Sequence, residues 1–167
     1  MAMAPLEILQ FPCRTDNYGV LLHDRASGLT ASIDAPEEMA VREALRRARL
    51  KLTHIFTTHH HHDHVEGHPT LKRETGCAIY GGEREAANIP GIDVTLKEGD
   101  KIPFGQFVVH ILETPGHTRG ALTYYIPGAA APGTGVAFTG DTLFSAGCGR
   151  VRRGRTCSSA AAASGAI

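Results

Sequence analysis

Leu52 to Thr57 is a short, apolar, β-branched run that delivers the chain straight into Thr58-His59-His60-His61-His62-Asp63-His64. Five of the chain's ten histidines fall between His59 and His64. Such a run reads as a buried strand whose C-terminal loop carries the cluster. Imidazole and carboxylate suit borderline metals such as zinc, and on a tight loop they can point in two directions. His59 and His61 then face one metal, and Asp63 and His64 face a neighbour. An expression tag would lie at a terminus, whereas this run is bracketed by a predicted strand and a predicted helix.

The flanking sequence alternates strand and helix signals. Leu6 to Phe11, Tyr18 to His23 and Thr30 to Ile33 are apolar-rich runs, with turn residues from Asp24 to Gly28, and they predict a meander. Asp34 can cap a helix over residues 36–50, in which Pro36 takes the first turn and Met39, Ala40, Ala44, Leu45 and Ala48 form an apolar stripe. Short helices are expected around 69–74 and 83–88, with a strand at Ala78 to Tyr80. Further strands are expected at Phe104 to Glu113, Ala121 to Ile126 and Val136 to Thr139, with Lys101 to Gly105 a turn and Ala129 to Gly135 a loop. This alternation favours a layered α/β domain.

Two later turns supply what the histidine loop lacks. Thr114-Pro-Gly-His117-Thr118 places a histidine just past a strand, and Phe138-Thr-Gly-Asp141-Thr142 does the same for a carboxylate. Either turn alone is ordinary loop chemistry; the three segments together make a metal site.

Composition removes other classes. With 167 residues, 42% of them hydrophobic and 20% charged, the chain can bury the core of one globular domain. Lys+Arg and Asp+Glu balance at 17 each, so no overall positive field draws it to nucleic acid or to an anionic membrane. No stretch approaches the ~20 apolar residues of a spanning helix, and residues 1–10 lack the basic region and apolar run of a secretory signal. Cys13, Cys77, Cys148 and Cys157 are scattered, which suggests neither a disulfide framework nor a thiolate zinc site. A reducing cytoplasm is the expected compartment.

T-H-x-H-x-D-H at 58–64, T-P-G-H-T at 114–118 and F-T-G-D-T-L-F at 138–144, in this order, resemble the metallo-β-lactamase superfamily. Asp16-Asn17-Tyr18, the long first motif and Gly147-Cys148-Gly149-Arg150 resemble its glyoxalase II (hydroxyacylglutathione hydrolase) branch, over about residues 5 to 150. The resemblance implies an α/β fold, the αββα sandwich of that superfamily. The implied activity is metal-dependent thioester hydrolysis, cleaving S-D-lactoylglutathione to D-lactate and glutathione in methylglyoxal detoxification. It places His59, His61 and His117 on a first metal, Asp63 and His64 on a second, and Asp141 as the bridge, with Asp63 and Asp141 serving the reaction. Zn2+ is the implied cofactor, and the same donors accept Fe or Mn. Arg150 stands where the branch places a basic residue against the carboxylates of its glutathione thioester; it also begins a solvated basic run with Arg152, Arg153 and Arg155. His23, His54, His60, His62, His68 and His110 match no ligand position and read as ordinary surface or core residues.

Val151 to Ile167 departs from the branch: Arg-rich, then Ser/Ala-rich, without histidine or aromatic residues. The expected organisation is a partial metal-binding domain over 1–150 and a disordered tail over 151–167. The sandwich is then incomplete at its C-terminus, as after a truncation or a shifted frame. The second metal is expected to be one ligand short, and uncovered core surface would favour association, with no oligomeric state fixed. Two other functions fit the motifs. One is an iron-dependent persulfide dioxygenase using His59, His117 and Asp141; the other is an inactive fragment that binds metal without turnover. A secreted β-lactamase is disfavoured by the missing export signal, and a processing nuclease by the neutral charge.

Overall fold

The computed structural model describes residues 4–131, 133–144 and 147–150. The tail read at 151–167, and with it the reading of a truncation or shifted frame, lies outside the described residues.

The first three strands, β1 (Glu7–Cys13), β2 (Asn17–Asp24) and β3 (Leu29–Ile33), form the expected antiparallel meander. Helix α1 (Glu38–Ala48) then returns the chain so that β4 (His54–Phe56) lies parallel to β3. Past the histidine loop, α2 (His62–Val65) and α3 (His68–Thr75) lead to β5 (Ala78–Gly82), and β6 (Val94–Leu96) completes a sheet ordered β1-β2-β3-β4-β5-β6. The second sheet, ordered β10-β9-β8-β7, is antiparallel: β7 (Lys101–Phe104), β8 (Phe107–Glu113), β9 (Leu122–Ala131) and β10 (Thr134–Phe138).

Period-2 alternation assigns the two faces of the first sheet. In β4, Ile55 packs with Leu21, Val41, Leu45, Leu71 and Ile79 against the helices, while Phe56 packs with Phe104, Ile111, Tyr124 and Ile126 between the sheets. Phe56 stacks on Tyr124 with ring centroids 5.3 Å apart and meets Phe104 edge-on at 5.7 Å. Each buried aromatic contributes roughly 1.5–3 kcal/mol by leaving water. Tyr124 also donates its hydroxyl to the Thr57 carbonyl at 2.8 Å, tying the second sheet to the residue just before the histidine loop. The layers are thus helix, sheet, sheet, as in three of the four layers of an αββα sandwich. Among the described residues no helix covers the outer face of the second sheet, and none is long and apolar enough to cross a membrane.

Five expectations change. The segment 83–88 is a 3-10 helix (Glu83–Asn88), and Lys101 to Phe104 is a strand, because it pairs residue for residue with β8. β6 was not anticipated; its three residues are too few to show a period. Residues 129–135 are not a loop but mostly the arms of the β9–β10 hairpin, where small side chains let Ala129 sit buried and accept the Leu6 N–H at 3.0 Å. Glu37 occupies the N-cap of α1 without a side-chain capping bond, its carboxylate accepting the Arg14 N–H instead, and Asp34 turns inward.

Candidate metal centre

The polar side chains gather at one edge of the sandwich, where four strands end. Parallel strands β3 and β4 deliver Asp34 and the 57–61 segment side by side; the Asp34 N–H donates to the Phe56 carbonyl at 3.0 Å. β8 ends in the turn carrying His117, and β10 in a 3-10 turn (Gly140–Thr142) carrying Asp141. Open α/β sheets place ligands beyond the carboxyl ends of their strands for the same reason: the loops there converge. Gly140 has φ +50, and a Cβ on it would lie 2.5 Å from Thr58 Oγ1, so glycine alone lets the Asp141 turn approach the histidine loop.

Two groups of ligating atoms result, each with all atoms within 4.8 Å of one another: His59, His61 and His117; and His59, His64 and Asp141. His61 Nδ1 lies 2.8 Å from His117 Nε2. Asp141 spans the groups, with Oδ2 3.2 Å from His117 Nε2 and Oδ1 3.2 Å from His64 Nε2.

The hydrogen bonds fix which ring nitrogens can ligate. Buried Asp34 accepts the Thr58 N–H (2.6 Å), the Thr58 hydroxyl (2.7 Å) and His64 Nδ1 (2.8 Å). With its proton committed to Asp34, the Thr58 hydroxyl is left to accept from His59 Nδ1 at 3.0 Å. His117 Nδ1 donates to the Arg150 carbonyl at 2.8 Å. Every Nδ1 so engaged leaves its Nε2 lone pair facing the centre, which is how outer partners orient metal-ligating imidazoles. The fit to a cation is sharpest at His59: its Nε2 is buried without a hydrogen-bond partner, although it stands in both groups.

Electrostatics agree. Burial, aided by the nearby His64 charge, pushes His59 down to about 4, keeping it a neutral ligand. Burial also opposes charging of His64, but the Asp34 and Asp141 carboxylates outweigh it and push that imidazole up to about 10. A divalent cation between His64 Nε2 and Asp141 would take that proton's place. Burial likewise works against an ionised Asp141, yet His64, His59 and His117 hold its carboxyl below the usual range.

The residues singled out in the sequence mostly meet here, with one regrouping. His59, expected on the first metal alone, stands within 4.8 Å of the donors of both groups, and its one unpartnered nitrogen serves one cation. Asp63 is in neither group: its side chain is 54% exposed and its Oδ2 stands 3.9 Å from His64 Nε2, on the wall of a cavity of about 660 Å³. The same cavity is lined by His61, His117, Asp141, Phe144 and Arg150, whose residue is exposed. A second cavity of about 600 Å³ reaches His64 from the side of Asn17 and Tyr18. His68 is a satisfied core histidine, bonded to Val65 O (2.8 Å) and Thr57 Oγ1 (3.1 Å). His60 is not ordinary: buried Glu85 holds it. Asp34 and Glu85 were missed. For Asp34 the signal was an acidic residue ending a strand just before the histidine-bearing one; Glu85 sits among unremarkable Glu and Arg residues. Cys13 and Cys77 are buried free thiols.

Comparison with known proteins follows the same line. The family model of the metallo-beta-lactamase superfamily matches residues 27–164. Hydroxyacylglutathione hydrolases of Brucella ovis and Brucella abortus are each 56% identical over 149 residues, which is 89% of this chain and 56% of theirs. The chain thus spans little more than half the length of these relatives. The crystal structure of ETHE1 from Myxococcus xanthus superposes with a TM-score of 0.71 at 30% identity, covering 88% of this chain and 61% of that one. The BLEG-1 B3 metallo-beta-lactamase shares the fold at a TM-score of 0.77 and 22% identity, over 94% of this chain and 83% of its own. With the family model matching most of its length and its polar loops gathered at one edge of a two-sheet core, the chain belongs to the metallo-beta-lactamase superfamily.

Proposed function

We propose that this chain carries the two-metal centre of a thioester hydrolase that cleaves S-D-lactoylglutathione to D-lactate and glutathione in a reducing cytoplasm, with zinc as the metal. The observation that carries the reading is the convergence of His59, His61, His64, His117 and Asp141 beside a cavity that Arg150 lines. The likeness to the Brucella hydroxyacylglutathione hydrolases supplies the substrate class.

Two divalent cations held so close would lower the pKa of a shared water from roughly 15.7 towards ~7 and polarise a carbonyl. The chain's own groups have distinct tasks. His59, His61 and His117 would hold one cation and His64 the other through neutral nitrogens, and Asp141 turns one oxygen towards His117 and one towards His64. Asp63, on the open wall of the cavity, is placed to take the proton that the attacking water gives up. Glutathione leaves as a thiolate, because a thiol pKa of ~8.5 needs no strong acid. The Arg150 guanidinium pairs with a glutathione carboxylate.

Dialysis against a chelator is expected to reduce hydrolysis of S-D-lactoylglutathione to background, and added zinc to restore it; hydrolysis that survives complete metal removal would overturn the reading. Oxygen uptake with glutathione persulfide after iron loading would instead assign the centre to a dioxygenase. Arg150→Ala is expected to raise KM about tenfold with kcat nearly unchanged, since a charge-assisted pair contributes about 1.5 kcal/mol of binding. An unchanged KM would return Arg150 to the solvated basic run.

A further inference from the structure

Glu85 lies on the 3-10 helix after β5, where a glutamate ordinarily points to water, yet its residue is only 3% exposed. Its two oxygens are divided between two loops. Oε2 accepts the His60 N–H at 2.9 Å and lies 2.9 Å from His60 Nδ1, while Oε1 accepts the Gly120 N–H at 2.9 Å. His60 stands between His59 and His61, and its ring packs against that of His61 with centroids 5.1 Å apart. Gly120 is in the same turn as His117. Backbone pairing between these loops includes Leu122 N–H to Thr58 O at 2.9 Å; nearer the metal centre, Glu85 takes an N–H from each.

Burial works against an ionised Glu85, but the donors gathered round it hold its carboxyl below the usual range, so the clamp carries a full negative charge. The approach is built in. A Cβ on Gly120 would lie 2.7 Å from Glu85 Cγ and 2.8 Å from Arg84 Cβ, so a side chain there would drive the loop off the carboxylate. Neither Glu85 nor His60 belongs to a ligand group, and nothing in the hydrolysis proposed above uses them.

We propose that Glu85 is a positioning residue for the metal centre: by joining the His59–His61 loop to the His117 loop, its carboxylate sets the separation of the three imidazoles in the first group. The proposal rests on the reading that this group holds a metal. Outer groups that orient ligands in this way commonly govern metal affinity by about 10- to 100-fold.

The test is zinc affinity of the full chain, by competition with a chromophoric chelator, together with the visible absorption of the cobalt-substituted protein, for wild type, Glu85→Gln and Leu45→Ala. Leu45 is buried under the helix layer, so Leu45→Ala loosens the fold without touching either loop. Glu85→Gln is expected to weaken zinc binding at least about fivefold and to alter the cobalt spectrum, with Leu45→Ala keeping both near wild type. A loss smaller than about fivefold in Glu85→Gln, or an equal loss in Leu45→Ala, would overturn the proposal. If Glu85→Gln does not fold, Glu85→Asp, which keeps the charge but withdraws it by one methylene, is judged by the same criterion. Wild-type protein that binds no zinc would sink the metal centre and this proposal together; wild-type binding with an indifferent Glu85→Gln would sink only this proposal.

Discussion

Replacing His59 by alanine is expected to strip zinc from the first group and to lower kcat/KM for S-D-lactoylglutathione by about 10³-fold or more. His59 Nε2 is the nitrogen common to the two sets, buried and otherwise unpartnered. A single nitrogen serves one cation, and without it the first group falls to His61 and His117. Metal ions stabilise transition-state charge by several kcal/mol, and about 4 kcal/mol is a factor of about 10³ in rate. His61→Ala and His64→Ala each remove a donor from one group, so each is expected to leave one metal. Elemental analysis of the dialysed variants, paired with steady-state hydrolysis, checks the pattern. A His59→Ala protein that retains the wild-type metal content would show that His59 holds no cation.

Asp34→Ala is expected to cost about 3 to 5 kcal/mol of stability, the usual result of leaving one partner of a buried ion pair alone. The carboxylate accepts from Thr58 twice and from His64 once, and all three donors are buried. Alanine removes the acceptor of His64 Nδ1, leaving the charged imidazole with carboxylates only on its Nε2 side. It must also adopt φ +54, a left-handed conformation that aspartate tolerates better than alanine does. At about 2–4 °C per kcal/mol for a chain of this size, the metal-free protein should melt roughly 6 to 20 °C below wild type. Asp34→Asn keeps the size and the backbone preference but offers a single acceptor oxygen, so its loss should be smaller. A melting point for Asp34→Ala within a couple of degrees of wild type would mean that the three hydrogen bonds do not hold the loop.

Much of this was legible along the chain because each feature is local. The apolar runs at 6–11, 18–23 and 52–57 announce strands by composition and by their turns, and the structure pairs them as expected. The histidine run announces candidate donors by residue type alone, and three of its six residues, His59, His61 and His64, enter the two donor groups. Failures occurred where a residue's role depends on something far away in sequence. Lys101 to Phe104 looked like a turn until β8 came to lie beside it. Asp34 looked like a helix cap because a cap requires only the next few residues, whereas its actual partners, Thr58 and His64, are brought to it by the parallel pairing of β3 with β4. Asp63 is adjacent to His64 in sequence, yet one turn of α2 sends the two side chains in different directions: His64 inward to Asp141, Asp63 to the cavity wall.

The sequence by itself determined the kinds of chemistry available: neutral nitrogen and carboxylate donors on loops that follow strands, in an α/β chain with no charge excess to attract a polyanion. Residue type and spacing suffice for that, because a ligand's chemistry belongs to its side chain. Only the tertiary structure decided how the donors group. His59 became common to two sets, His117 and Asp141 arrived from the second sheet, and Glu85 came to lie between two loops. Those relations are set by how two sheets pack and where their strands end, and distances of 3 Å between residues dozens of positions apart have no trace in local sequence.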